Sequence, residues 1–102
     1  MRHVPANPTP VDTVHVYCDL SDDAGVGGAK VHWWKQGMVT VWETGWIQMD
    51  RLSGNSWRTR DPIRAWPAGT TIKYDIAAYD GNRYASNGVV NPYTVGAIVD
   101  NQ

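Results

Sequence analysis

The stretch TTIKYDIAAY, residues 70–79, alternates apolar and polar side chains more regularly than any other part of the chain. A period of two places successive side chains on opposite faces of a β-strand, so this stretch predicts a strand with one face in a core and the other in water. The predicted inward face carries Tyr74, Ile76 and Ala78, and the outward face carries Lys73, Asp75, Ala77 and Tyr79.

Shorter stretches of the same kind lie on both sides of it. Residues 13–20 place Cys18 on an apolar face, and residues 29–36 place Trp33 on the face opposite to His32 and Trp34. Gly, Pro and Asn separate the stretches, and none has the 3.6-residue period of a helix. The pattern predicts an all-β sandwich or barrel of about seven strands. The remaining predicted strands cover residues 39–42, 46–50, 56–60 and 93–99. Trp57, in the third of these, is predicted to be a core residue.

The domain organisation follows from the same pattern. Pro5, Pro8 and Pro10 predict that residues 1–11 form a linker or a weak edge strand, because proline lacks the N–H that a strand interior needs. Residues 12–99 are predicted to form the sandwich, and residues 100–102 a C-terminal tail.

The composition points away from several classes of protein. Nine basic residues against ten acidic ones give a net charge of −1, whereas nucleic-acid binders usually carry a marked basic excess. Cys18 is the only cysteine, so no intrachain disulfide can form. No apolar run is long enough to span a membrane, and no leader peptide is recognisable after Met1. We therefore expect neither a nucleic-acid nor a membrane partner.

Motifs for catalysis are missing from the sequence. It contains no G-x-S-x-G, H-E-x-x-H or Cys-x-x-Cys motif, and GVGGAK, residues 25–30, precedes a strand instead of the helix that a phosphate loop requires. We predict that the protein is not an enzyme and holds no cofactor or metal. A calcium site is the alternative, since Asp22, Asp23 and Asp80 could begin one, although Asp also simply makes turns.

Several of these stretches resemble bacterial immunoglobulin-like, fibronectin-type-III-like accessory domains. The resemblance covers about residues 11–95 and implies an immunoglobulin-like antiparallel β-sandwich. Tyr74 would then be the tyrosine of the tyrosine corner, whose hydroxyl bonds to upstream backbone, and Cys18 would occupy the first core-cysteine position, with Ala78 in place of its partner. The stretches are SDDAGV (21–26), AKVHWW (29–34), WIQM (46–49), PAGTTIKYDIAAYD (67–80) and GNRYASN (81–87).

A further similarity is to the starch-binding carbohydrate-binding modules of families 25 and 53. It is carried by VHW (31–33), WIQM (46–49) and YASNG (84–88), which leads on to NPY (91–93). In those modules a His and two Trp rings hold the sugar. The similarity implies that His32 binds sugar, with Trp34 or Trp42 beside it, and Tyr84 stands where the modules have a further Trp.

The immunoglobulin topology also predicts which side chains share a surface. The strand of His32 would pair with the strand of Tyr74, which exposes an aromatic patch of the kind that usually marks a contact site. Aromatic rings stack on the C–H patches of sugars, while His and Asp bond to the hydroxyls. The predicted ligand-binding residues are His32, Trp34, Trp42, Asp75, Tyr79 and Tyr84.

Two functions of different classes agree with these observations. The first is a non-catalytic carbohydrate-binding accessory module of a secreted or cell-surface bacterial protein that acts on polysaccharide, with α-glucan or another glycan as its partner. The alternative is a structural immunoglobulin-like spacer that packs against neighbouring domains of its parent protein and binds no small ligand. Exposed rings at Trp34 and Trp42 would favour the first, and rings buried against protein the second.

Overall fold

All strand pairs in the described part of the computed structural model are antiparallel. The structure describes residues 2–20, 27–79, 84–86 and 90–97, and residues 84–86 by their backbone alone. Within these ranges the chain forms strands β1 (Arg2–Val4), β2 (His15–Asp19), β3 (Gly28–Lys35), β4 (Thr44–Ser53), β5 (Ser56–Thr59), β6 (Thr71–Tyr79), β7 (Tyr84–Ser86) and β8 (Asn91–Thr94), with a 3-10 helix (Val41–Glu43) before β4.

The strands form one curled sheet, whose two halves make the layers of a sandwich. One half has the order β1-β2-β5-β4 and the other continues β4-β3-β6. Both β7 and β8 pair with β6, so they are successive pieces of one edge strand. This is the strand order of an immunoglobulin-like sandwich, so the predicted all-β fold of about seven strands is confirmed.

Strand β4 belongs to both halves. Its first part, from Thr44 to Gln48, pairs with β3, and its second part, from Asp50 to Ser53, pairs with β5. Met49 pairs on both sides, with Ala29 of β3 and Thr59 of β5. The sandwich is therefore held together by backbone hydrogen bonds across β4 as well as by its core.

The core forms mostly from the inward faces that the alternation predicted. The prediction is wrong near the end of β6, where Ala77 of the predicted outward face is buried and Ala78 of the predicted inward face is half-buried. On β3, Val31 and Trp33 are buried while His32 and Trp34 are half-buried on the other face. Trp57 is 5% exposed, which confirms it as a core residue. Cys18 is also buried, and burial raises the pKa of its thiol to about 11, which keeps it uncharged and inert at neutral pH. The other buried apolar residues of the core are Val14, Val16, Ala29, Met49, Ile63, Ile72, Tyr74, Ile76, Tyr93 and Val95.

The predicted strand over residues 39–42 is wrong. The chain turns at Gly37, whose φ of 75° suits glycine, and continues through an irregular segment into the 3-10 helix. Before that helix, the Glu43 side chain accepts hydrogen bonds from the backbone N–H and the hydroxyl of Thr40. Val39 and Val41 have the branched side chains typical of strands, but no described strand pairs with them, so their propensity does not decide the structure. The last predicted strand begins earlier, at Asn91, and residues 98–99 lie outside the described part.

The Tyr74 hydroxyl makes a hydrogen bond to a side chain. The tyrosine-corner comparison predicted a hydrogen bond to upstream backbone instead. The Tyr74 hydroxyl lies 3.0 Å from Nδ1 of His3. The other ring nitrogen, Nε2, donates to the carbonyl oxygen of Ala6 at 3.1 Å, so in the neutral ring Nδ1 accepts the Tyr74 proton. His3 also packs against Tyr93 with ring centroids 4.9 Å apart. Strand β1 is thereby tied across the sandwich to the opposite layer.

Replacement of Tyr74 by Phe should weaken this tie without opening a cavity. The variant loses a buried hydroxyl that donates to His3, and we expect the free energy of unfolding to fall by about 1 kcal/mol. Urea denaturation measures the change. Tyr17→Phe is the matched control, because the Tyr17 hydroxyl makes no hydrogen bond among the described residues. Equal losses in both variants would contradict a specific contribution of the His3 bond.

Candidate functional site

Three aromatic rings form a continuous row on the outer face of β3 and β4. The His32 ring stacks on the Trp46 ring, with centroids 4.4 Å apart and planes 14° apart. The His32 ring also lies next to the Trp34 ring. The centroids of these two rings are 5.0 Å apart and their planes are tilted by 36°. The Lys30 ammonium lies 4.3 Å from the centroid of the Trp46 ring. We call Trp34, His32 and Trp46 the aromatic row.

Strand register produces the row. Trp46 lies directly opposite His32 in the β3–β4 pair, and Asp75 lies opposite His32 on the other side, in β6. Side chains at paired positions point to the same face of a sheet, about 5 Å apart. The outer face of three adjacent strands therefore brings two indole rings, an imidazole and a carboxylate together.

A glycine lets the buried layer beneath the row pack closely. Gly45 lies opposite Trp33, and a Cβ at position 45 would lie 2.9 Å from Trp33 Nε1. The indole of Trp33 therefore lies across the backbone of β4, directly before Trp46. It also meets the Trp66 ring edge-on, with centroids 5.9 Å apart. The core under the row is thus filled by aromatic rings that keep β3 and β4 in register.

Hydrogen bonding sets the tautomer of His32. The Thr44 hydroxyl donates to the carbonyl oxygen of Trp33 at 2.7 Å, so its remaining role toward His32 Nε2, 3.1 Å away, is that of acceptor. Nε2 therefore carries the proton. In the neutral ring this leaves Nδ1 as an acceptor, which is suited to a hydroxyl donor from a ligand.

The structure brings together some of the predicted site residues and separates others. His32, Trp34 and Asp75 share one surface, where all three are half-buried. Tyr79 lies on the same face, but its pairing partner on β3 is Gly28. Gly28 is six positions from Trp34, which separates Tyr79 from Trp34 by about 20 Å along the strands. Tyr84 pairs with Tyr79 in β7, and its side chain lies outside the described part of the chain.

Trp46 is a member of the row that the site prediction omitted. It is 57% exposed. The signal was present in the sequence, because Ile47 and Met49 alternate with Trp46 and Gln48, and burial of the first pair turns the second outward. The register against His32 was not available from alternation, because pairing partners depend on the tertiary fold.

Trp42 lies apart from the row, in an exposed segment that we call the apolar tip, residues 38–42. Four large apolar side chains project from it: Met38 is 41% exposed, Val39 86%, Val41 77% and Trp42 73%. Arg64 donates to the carbonyl oxygen of Trp42, and its guanidinium lies over the Trp66 ring at 4.4 Å. The tip is thus tied to the core from one side.

A buried carboxylate holds the tip from the other side. Glu43 is 8% exposed, and one of its oxygens accepts from the backbone N–H groups of Val39 and Thr40 and from the Thr40 hydroxyl, each at 3.1 Å. Its second oxygen lies 2.9 Å from Lys35 Nζ. The Lys35 hydrogen bond, with the backbone donors, lowers the pKa of Glu43 to about 2. The carboxylate therefore stays charged through the whole neutral range.

This lowered pKa predicts a dependence of stability on pH. Glu43 is ordinarily half-protonated near pH 4.5, so its contribution is complete above that value and is lost as the pH falls toward about 2. Thermal melts should show that Glu43→Gln is less stable than the wild type at pH 7, with a difference that shrinks between about pH 4.5 and 2. Parallel curves for the two proteins over that range would contradict the role of the carboxylate.

The opposite layer has a groove of about 380 Å³, lined by residues of β1, β2, β4 and β5. The Arg2 guanidinium lies 4.5 Å from the centroid of the Tyr17 ring, and Ser56 donates to Asp19 at 3.0 Å. These polar groups of the groove already contact one another. The row, with its exposed Trp46 ring, is therefore the stronger candidate for a ligand surface.

Metal and membrane features were sought in the same part of the chain. Within the described ranges no three His, Cys, Asp or Glu side chains come together as a metal site would need. Asp22, Asp23 and Asp80, the residues of the alternative calcium site, lie outside the described residues. None of the described segments forms a helix of the length and apolarity that crossing a bilayer requires.

Comparison of the chain with protein-family models, with curated proteins and with solved structures found no match. The arrangement of side chains on the sandwich is therefore the basis for assigning a function.

Proposed function

We propose that the protein is a non-catalytic carbohydrate-binding module, an accessory domain of a secreted or cell-surface bacterial protein that acts on polysaccharide. The aromatic row is the observation that supports this proposal. Sugar rings carry flat C–H patches surrounded by hydroxyls, and exposed indole rings bind such patches by dispersion and desolvation. Trp46 supplies an exposed indole ring and Trp34 a half-buried one, and His32 and Asp75 supply polar groups beside them.

The stacked arrangement favours binding because the rings are already ordered. His32 stacks on one face of the Trp46 ring, and the Thr44 hydroxyl holds His32 in turn. The Lys30 ammonium lies over the same ring at 4.3 Å, so a stacking sugar would take the place of this long side chain. Immobilising a free side chain on binding costs about 0.5–1.5 kcal/mol. Rings that are fixed before the ligand arrives avoid most of that cost, so a shallow surface with few rings can bind a glycan chain usefully.

The polar groups of the row would bond to the hydroxyls of a bound sugar. Nδ1 of neutral His32 accepts a hydrogen bond, and the Asp75 carboxylate opposite it also accepts. Both prefer hydroxyl donors, which every neutral polysaccharide presents next to its C–H patches. A few stacking and hydroxyl contacts on an open surface correspond to a dissociation constant of roughly 10 μM to 1 mM, or about 4–7 kcal/mol.

Affinity electrophoresis tests the proposal. The wild-type protein is run in native gels containing starch, xylan or β-glucan, beside a protein of similar size without carbohydrate affinity. We expect retardation in at least one polysaccharide and none in a gel without polysaccharide. Wild type that is unretarded in every polysaccharide would reject the proposal and favour the structural spacer.

A further inference from the structure

The apolar tip is a second exposed surface, and glycan binding at the row does not account for it. Val39, Val41 and Trp42 are each more than 70% exposed, and Met38 lies beside them. Aliphatic side chains have no flat face for a sugar ring. Contiguous exposed apolar groups on a soluble protein usually mark a contact with another apolar body.

Three of the five N–H groups of the tip, those of Met38, Val39 and Thr40, already have acceptors within the protein. Burial of an unpaired N–H group in an apolar medium is costly, so acceptors within the protein lower the cost for a segment that enters one. The Glu43 side chain accepts from Val39 and Thr40, and the backbone carbonyl of Lys35 accepts from Met38. Directly after the tip, the Glu43 N–H donates to the backbone carbonyl of Thr40.

One cation is in direct contact with the tip, and a second lies on the neighbouring strand β6. Glu43 is neutralised by Lys35, whereas Arg64 and Lys73 have no ion pair among the described residues. Arg64 bonds to the Trp42 carbonyl, and Lys73 lies opposite Trp34, a few residues from the base of the tip. Exposed apolar side chains that include a tryptophan, with an arginine bonded to the same segment, offer contacts for both the acyl chains and the phosphates of an anionic lipid bilayer.

A second copy of the chain fits the tip less well. A stable dimer buries roughly 800 Å² on each partner and uses about 20–30 residues a side. The tip offers four apolar side chains within five consecutive residues, far fewer than such an interface uses. A fluid bilayer needs no matching surface of that size, so it accommodates the tip directly.

We propose that the apolar tip inserts peripherally into the interface of an anionic lipid bilayer. Met38, Val39, Val41 and Trp42 enter the interface while Arg64 and Lys73 contact lipid phosphates. This contact differs from a membrane span. The expectation of no membrane partner rested on the lack of a spanning apolar run, which peripheral insertion does not need. The contact is also independent of the proposed glycan site, because the row and the tip have no side chain in common.

Vesicle flotation tests the insertion. The wild type is mixed with vesicles of phosphatidylcholine alone, or of phosphatidylcholine and phosphatidylglycerol in equal parts, and the floated fraction is measured. We expect clearly more binding to the anionic vesicles, and a loss of that excess in high salt, which screens exposed charges. Val39→Asp combined with Val41→Asp should lower binding to the anionic vesicles about tenfold or more.

Two controls keep the outcomes distinct. Trp46→Ala changes the row alone and should float as the wild type does, even if it loses glycan binding. The Val39→Asp, Val41→Asp variant should keep its circular dichroism spectrum and its retardation by polysaccharide, because both valines are exposed. Absence of wild-type binding to anionic vesicles would overturn the proposal, as would binding that the two Asp substitutions leave unchanged. Concentration-dependent dimerisation that these substitutions abolish, without vesicle binding, would assign the tip to a second copy.

Discussion

Replacement of Trp33 by Ala is expected to lower the free energy of unfolding by about 3–5 kcal/mol. The side chain is 7% exposed and lies in the core cluster. It fills the space over Gly45 and meets Trp66 at an edge, so its removal leaves a cavity that neighbouring rigid rings cannot fill. The loss would be a large fraction of the stability of a domain of this size. Urea denaturation, followed by circular dichroism, measures it.

The adjacent residue provides a matched control. Trp34→Ala removes an identical side chain one position further along β3, but from the half-buried outer face. We expect a clearly smaller loss of stability, because water can occupy the space that the ring leaves. Similar losses for the two variants would mean that Trp34 is as much a core residue as Trp33, and the row would then be a structural element.

Replacement of Trp46 by Ala is expected to weaken glycan binding at least tenfold, equivalent to about 1.4 kcal/mol. The variant removes the most exposed ring of the row, and it also releases His32, which stacks on that ring. A direct contact and the order of the remaining site are thus lost together. Titration calorimetry with an oligosaccharide of the retarding polysaccharide measures the change, and circular dichroism confirms that the variant is folded.

Trp42→Ala separates the row from the tip in the same experiment. Trp42 is more exposed than Trp46, but it contacts neither His32 nor Trp34 in the described structure. If sugar binds at the row, Trp42→Ala should retain the wild-type dissociation constant. Binding that is lost with Trp42 and kept with Trp46→Ala would move the glycan site from the row to the tip.

Alternation predicted the core because burial in a sandwich depends on the face of a strand, and that face can be deduced from the sequence. Trp33 and Trp57 were placed inward in this way, and both are buried. Alternation failed at residues 39–42, where Val39 and Val41 have strand propensity but no described strand pairs with them. Local propensity cannot indicate whether a partner strand exists, because that depends on distant parts of the chain.

Only part of the candidate site was predicted, again because strand pairing depends on distant parts of the chain. His32, Trp34 and Asp75 were grouped correctly by the comparison with immunoglobulin topology, which pairs β3 with β6. That comparison did not supply the register of β4, and Trp46 was therefore left out of the site. Tyr79 lies on the predicted face, but residues on one face of a strand can still be far apart. Alternation gives the face of a residue and not its distance from the site along the strand.

The passage of β4 from one layer to the other has a consequence for how the molecule resists opening. In a sandwich whose layers meet through side chains alone, one layer can separate while the other stays intact. Here the backbone of Met49 pairs with both Ala29 and Thr59, so parting the layers also breaks backbone hydrogen bonds between strands. The aromatic row begins three residues before this junction, at Trp46. Tension applied to a bound polymer would therefore be shared between both layers before any strand came away.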